Sequence, residues 1–424
     1  MSSIYIIYMV KHSIKHKKKK FHPRKPTRKH RNKTTHRKKI FLIKNNTPIP
    51  IQILSKAINR EIDREIDISE TPNHTSVLKS YSPLINKALV SLTKTDANKI
   101  LICGNNFLTI NIGTENKPLC VNYNDPRSKE LFLQNLKNPT IDCGAIIPPK
   151  QFLSNCWFNT MFITFFISDK GRKFFKFFRQ LMIEGKDSKG NVIPTELAKA
   201  FFIFNLAIES TQNNLLKGVA YLLNTNLLIQ KIHNAIRNNY GERKYKKSLR
   251  ISSKIIDIGD AGNPIDYYET IMNYLNNDSL NINSVSADKS ADEKFISSKI
   301  NFSNVKHIPD IIILEIYDNG IDGPGYSEKV NNKKNHLVFN GKHQNEKIEY
   351  ELDSVIIRDT TGEHFSSLLM CNKNEYAFDG ASYNRMTKFA WKENINKNKN
   401  WGFEGHDLKW NFMNAYQILF YYRV

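Results

Sequence analysis

Cys156 heads a dense apolar run, Trp157, Phe158, Met161, Phe162, Phe165 and Phe166, whose length predicts a buried helix from Cys156 to about Ile167. A sulfur at a helix start feels partial positive charge and lies beside backbone N–H groups that have no intrahelical acceptor. Such surroundings favour a thiolate and can receive an oxyanion. Five residues upstream, Gln151 offers a side-chain amide to the same developing charge, and Pro148 and Pro149 stiffen the approach to it. For an isolated cysteine, a buried core thiol is the competing account.

A nucleophile needs a base and a group to orient that base, both drawn from elsewhere in the fold. His364 lies in Gly362-Glu363-His364-Phe365, at the head of a strand-like run, where the small Gly362 would let a substrate backbone approach the imidazole. Asp379 follows fifteen residues later in Tyr376-Ala377-Phe378-Asp379-Gly380. Two antiparallel strands joined by a turn around Asn372–Glu375 would set the two side by side, so that Asp379 binds one ring nitrogen and the other faces Cys156.

Helical patterns over Gly171–Ile183, Thr195–Ser210 and Leu215–Asn238 give the middle of the chain a helical character. Strand patterns then run through Ile311–Tyr317, His336–Phe339, Ile348–Ile357, Phe365–Cys371, Tyr376–Phe378 and Ala415–Arg423. The expected fold is α+β, a helical lobe carrying Cys156 packed on an antiparallel sheet carrying His364 and Asp379. Upstream, Ile51–Ile68 reads as an amphipathic helix, and Ile100–Cys103, Phe107–Ile112 and Leu119–Tyr123 as a small β meander. The implied organisation is a disordered basic arm over 1–45, an N-terminal extension over 46–145 and a catalytic domain over 146–424. Asn-, Ser-, Asp- and Lys-rich wording marks a flexible insertion at about 276–300.

The chain has 424 residues and a formal net charge of +23. Fifteen Lys or Arg and no acidic residue fall between Lys11 and Lys39, about two thirds of the excess charge. Such a run self-repels and buries nothing, which suits condensation on nucleic acid, an anionic surface or an import receptor. Its histidines, His12, His16, His22, His30 and His36, read as part of a solvated polycation; no metal and no cofactor are expected. The odd count of five cysteines, without a CxxC pair, disfavours a disulfide framework and a zinc ribbon and points to a reduced, intracellular protein in cytoplasm or nucleus. Ile4–Val10 is too short to span a bilayer, and no other segment approaches the length of a transmembrane segment.

Gln151-Phe152-Leu153-Ser154-Asn155-Cys156-Trp157-Phe158-Asn159-Thr160 resembles the cysteine box of the ubiquitin-specific proteases, usually Asn-Leu-Gly-Asn-Thr-Cys-Tyr-Met-Asn-Ser. The histidine box resembles that family too, through Tyr350-Glu351-Leu352, Val355-Ile356-Ile357, Gly362, His364-Phe365, Tyr376 and Phe378-Asp379. Pro309–Leu314 is similar to its Leu-Pro-x-x-Leu-Ile strand and Ala415–Tyr421 to its closing Ala-Tyr-x-Leu-Phe-Tyr strand. The resemblance covers Pro148 to Val424 and implies a papain-like cysteine peptidase with Cys156, His364 and Asp379 as triad and Gln151 as oxyanion donor. Gly362, Glu363, Phe365 and Trp157 would border the substrate. The implied reaction is thiol-dependent hydrolysis of a peptide or isopeptide bond after the C-terminal glycine of ubiquitin or a ubiquitin-like protein. Gln151 departs from the family's Asn, Glu363 from its Gly and Arg358 from a frequent His, and the cysteines of the family's zinc-bearing fingers are missing. Two rivals stand beside it: a processing cysteine protease acting on precursor proteins, as in virion assembly in a host cell, and a catalytically decayed, nucleic-acid-associated structural protein.

Overall fold

The structure is a computed structural model. It describes residues 101–102, 107–112, 117–137, 141–144, 146–149, 151, 154–213, 225–240, 264–277, 279–287, 290–317, 330–342, 346–381, 386–403 and 407–424. The basic arm 1–45, the helix expected over Ile51–Ile68 and the partner expected for the arm lie outside the described residues.

A three-stranded antiparallel meander comes first, β1 (Leu101–Ile102), β2 (Thr109–Asn111) and β3 (Cys120–Asn122). Helix α1 (Pro126–Asn135) follows, with Asp125 accepting a hydrogen bond from the Arg127 N–H as N-cap and Pro126 in the first turn. The helical lobe continues with α2 (Cys156–Phe166), α3 (Asp169–Phe174), α4 (Lys176–Glu184), α5 (Thr195–Asn213), α6 (Thr225–Tyr240) and α7 (Pro264–Tyr274). Phe107, Leu108, Val121, Leu131 and Phe132 share one apolar cluster with these helices, and Phe132 and Tyr123 both meet the Phe202 ring of α5. The described part of 46–145 is thus built into the helical lobe.

The remaining elements form one large sheet: β4 (Ile282–Ala287), β5 (Ile311–Ile316), β6 (His336–Asn340), β7 (Lys347–Arg358), β8 (Phe365–Cys371), β9 (Asn374–Phe378), β10 (Thr387–Lys388) and β11 (Gln417–Arg423). Its order is β10-β9-β8-β7-β11-β5-β4, with β6 paired to β7. All pairs are antiparallel except β4 with β5. Alternate residues of one strand enter different cores: Ile311 and Ile313 face the helical lobe, whereas Ile312, Leu314 and Ile316 join a second cluster with Trp391, Trp410 and Phe412. Burial on both faces explains why these strands read as nearly unbroken apolar runs. The fold is α+β, a helical lobe against a largely antiparallel sheet.

Two expectations need correction. The segment expected as a loop insertion at 276–300 carries β4 and helix α8 (Glu293–Lys299), capped by Asp292, which accepts from the Phe295 N–H. Only Val285 and Ala287 of β4 are buried, so an edge strand hides inside polar wording. The thiol count also misled: Cys143 and Cys371 are disulfide-bonded across 228 residues, and Cys120 is disulfide-bonded as well. An odd total had a simpler meaning, since Cys156 is the free thiol among the described residues.

Candidate active site

Helix α2 begins at Cys156 because the chain before it cannot continue the helix: Asn155 sits at φ −94°, ψ 14° and offers no side-chain cap. The backbone N–H groups of Cys156 and Trp157 therefore open the helix without an internal acceptor, where the helix dipole is most positive. The Asn155 side chain turns instead to Thr225 at the start of α6, donating from Nδ2 to Oγ1 at 2.5 Å. The same Thr225 hydroxyl donates to Asn159 Oδ1 at 3.1 Å. One threonine thereby fixes asparagines on both sides of the cysteine, and all three are buried.

His364 and Asp379 arrive from the sheet. Strands β8 and β9 pair from Ser367↔Phe378 to Cys371↔Asn374, so the residue just before β8 and the residue just after β9 emerge at one end of the hairpin. At the other end Asn372 and Lys373 take φ of 48° and 61°, the backbone of a two-residue turn whose twist suits adjacent strands. His364 Nε2 donates to Asp379 Oδ1 at 2.6 Å, and both residues are buried, at 6% and 2% exposure. The Cys156 sulfur lies close enough to the same imidazole to help raise its pKa. With Nε2 committed to the carboxylate, Nδ1 is the ring atom left to the sulfur. Burial alone would depress the His364 pKa; the Asp379 hydrogen bond and charge, with a smaller contribution from Cys156, outweigh it and raise the group to about 9.

A residue not singled out from the sequence, Asp359, holds the histidine in place. Its buried carboxylate accepts from the backbone N–H groups of Thr361 at 3.0 Å, Glu363 at 2.9 Å and His364 at 2.7 Å, and from the Thr361 hydroxyl. The loop closes with Asp359 N–H donating to the His364 carbonyl at 2.7 Å. Asp-Thr-Thr-Gly after a strand is an Asx-turn signal that could have flagged it. Beneath the imidazole, the Trp410 ring stands edge-on with centroids 5.9 Å apart.

Gln151 is tied to the other side of the hairpin end, its N–H donating to the Gly380 carbonyl at 3.0 Å. A side chain at Gly380 would place its first carbon 3.3 Å from Gln151 N and Cβ and 3.6 Å from Asn159 Nδ2, so glycine here permits the Asp379 turn to press against the strap before α2. Cys156, His364 and Asp379, named from the sequence, thus come together, and the backbone of Gln151 lies against the turn after Asp379.

No family model matches the chain, and neither does any curated protein. Among solved structures, it is similar to the SAGA Ubp8/Sgf11/Sus1/Sgf73 DUB module bound to ubiquitin aldehyde, at 9% identity over 66% of this chain and 70% of that chain, with a TM-score of 0.41. It is also similar to the Ubp8-Sgf11-Sgf73-Sus1 SAGA DUB module, at 10% identity over 81% and 83% of the two chains with a TM-score of 0.38. A third is an essential yeast splicing factor, at 10% identity over 66% and 70% with a TM-score of 0.36.

The four expected substrate-bordering residues divide. Glu363 is exposed beside the histidine, and Phe365 is half-buried against Tyr416 with centroids 6.0 Å apart. Gly362 takes a positive φ of 81°, so its value lies in the turn as much as in open space. Trp157 does not border a substrate with its side chain: the ring is 1% exposed and packs on Phe158 and Tyr267. Only its backbone N–H faces the start of the helix. The arrangement combines a thiol at a helix start, a nearby imidazole and a buried carboxylate behind it, which is the equipment for nucleophilic attack on a carbonyl. Among the described residues no cluster of His, Cys, Asp and Glu is suited to hold a metal, and no helix is long and apolar enough to cross a membrane.

Proposed function

We propose that the protein is a thiol-dependent hydrolase that cleaves a peptide or isopeptide bond after the C-terminal glycine of ubiquitin or a ubiquitin-like protein. The observation that carries the catalytic half is the grouping of Asp379, His364 and Cys156, with His364 Nε2 bound to Asp379 at 2.6 Å and the sulfur close enough to the same ring to help raise its pKa. His364 takes the thiol proton, and the sulfur attacks the carbonyl carbon. The oxyanion is received by the N–H groups of Cys156 and Trp157 and by the Gln151 amide. The imidazolium then protonates the leaving amine as the C–N bond breaks, leaving a thioester. Water, deprotonated by His364, attacks the thioester carbonyl; the C–S bond breaks, the imidazolium returns the proton to the Cys156 sulfur, and the carboxylic acid is released. Asp379 holds the ring orientation and stabilises the imidazolium throughout.

The choice of ubiquitin rests on the sequence resemblance over Pro148–Val424. A ubiquitin probe bearing a C-terminal electrophile tests it: labelling of the full chain that disappears in Cys156→Ala is expected. Alkylation of Cys156 by iodoacetamide without probe labelling would retain the thiol chemistry and reject this substrate. Failure of both reagents on folded protein would reject the enzyme.

A further inference from the structure

A cavity of about 300 Å³ opens on the helical lobe at the opposite end of α2 from Cys156, walled by the end of α1, by α3 and α4 and by Gln212 of α5. Phe166, the last residue of α2, lines it; an eleven-residue helix places it about 15 Å from the catalytic end. Five cations, Lys137, Arg172, Lys173, Lys176 and Arg179, meet a single carboxylate, Asp169, on its wall. Arg172, Arg179 and Lys137 have interactions of their own. Arg172 pairs with Asp169 at 3.2 Å, and the buried Arg179 is locked behind the wall by Glu209, Asn205 and Gln212. Neither Lys173 nor Lys176 has a carboxylate partner among the described residues; Lys173 leans over the Phe174 ring instead. Lys137 is held below the ordinary lysine range, first by partial burial and then by the charge of Lys176, with Glu130 acting in the opposite direction. Helix α4 starts at the same wall with no side-chain cap at Phe175.

Like charges gathered around one concavity repel unless an anion joins them. From this convergence we infer that the cavity binds a small phosphate-bearing molecule, its phosphate among Lys137, Lys173 and Lys176 and its organic body against Leu136, Phe166 and Phe175. Several ammonium groups around a group with three terminal oxygens satisfy a phosphate dianion better than a single carboxylate. The volume lies at the lower end for small-molecule sites, which suits a compact ligand. The inference is independent of the reaction proposed for Cys156.

Phenyl phosphate is the probe, titrated into the full chain by calorimetry and thermal melting, with sodium chloride holding ionic strength constant. Saturable binding and a raised Tm are expected, with inorganic phosphate weaker and phenol inert. The double variant Lys173→Glu/Lys176→Glu should weaken binding at least roughly tenfold. It should keep the wild-type rate of Cys156 alkylation, which shows that it folds. Lys173→Gln/Lys176→Gln serves if charge reversal unfolds the lobe. Equal binding by wild type and a folded variant would assign the effect to the basic arm and overturn the site. So would a Tm response reproduced by chloride alone, or binding of a phosphoserine peptide with phenyl phosphate inert.

Discussion

His364 sits between two demands. In the proposed reaction its ring takes up the thiol proton, yet it is buried at 6% exposure, where charge is costly. The Asp379 carboxylate resolves the conflict and lifts the pKa to about 9 from an ordinary 6.5. The sign follows directly: the imidazolium is present below the raised value and is lost as pH climbs through it. The alkaline limb of kcat/KM, or of Cys156 alkylation, should therefore fall near pH 9 in wild type. In Asp379→Asn that limb should move down toward the unperturbed value, accompanied by a large drop in rate; an unmoved limb would remove Asp379 from the site. The same linkage predicts that the stability contributed by this pair is full below about pH 6.5 and fades as pH rises through about 9, a trend that Asp379→Asn should flatten in denaturant titrations. Asp359 acts one step further away. Replacing it with Ala strips three backbone N–H groups of their acceptor, so a loss of about 2–3 kcal/mol is expected together with a fall in kcat larger than any change in KM. Asp359→Asn, which keeps an acceptor oxygen, should recover part of both.

At the scale of elements, the site depends on three ends meeting: the start of α2, the open end of the β8–β9 hairpin and the strap carrying Gln151. Gly380 is where the last two touch. In Gly380→Ala the added methyl would press on Gln151 N and Cβ at 3.3 Å, so kcat should drop at least several-fold. Much of this was legible beforehand. The apolar run after Cys156 marked α2, and the fifteen residues from His364 to Asp379 matched a hairpin with a short turn, since register forces residues flanking such a hairpin together. Less visible were elements whose signal lies in their caps instead of their apolar period. Asp125-Pro126 announced α1 and Asp292 announced α8, but both helices carry mixed polar sequences. Strand β4 was hidden for a related reason: it gains its backbone pairing from β5 and buries only two small side chains, so neither alternation nor β-branched content stands out. Thr225, which fixes Asn155 and Asn159, had no local signal, because its role depends on tertiary placement of α6 against α2.

For the whole molecule, the bond between Cys143 and Cys371 joins the strap that precedes Cys156 to the hairpin flanked by His364 and Asp379. Cys143 lies on the strap that leads to Gln151, and Cys371 ends β8, the strand that begins next to His364. Around it the same junction is reinforced: Asn372 Nδ2 donates to the Ile141 carbonyl at 2.6 Å, and the Asn372 and Lys373 N–H groups donate to the Asp169 carboxylate at 2.9 Å each. A crosslink closing 228 residues restricts the unfolded chain strongly, so its loss should lower stability by about 2–4 kcal/mol. The hydrogen bonds to Ile141 and Asp169 remain when the bond is gone, and they hold the hairpin turn far from the catalytic end. Cys143→Ser/Cys371→Ser should therefore show a lower Tm and denaturant midpoint while alkylating Cys156 at nearly the wild-type rate below the transition. Reductant should destabilise wild type but leave the double variant unchanged apart from any effect at Cys120, which the variant serves to isolate. A variant as stable as wild type would show that the hydrogen bonds alone carry the junction. A variant that stays folded but loses thiol reactivity would show that the crosslink sets the position of Gln151 or His364 as well as the stability of the lobe.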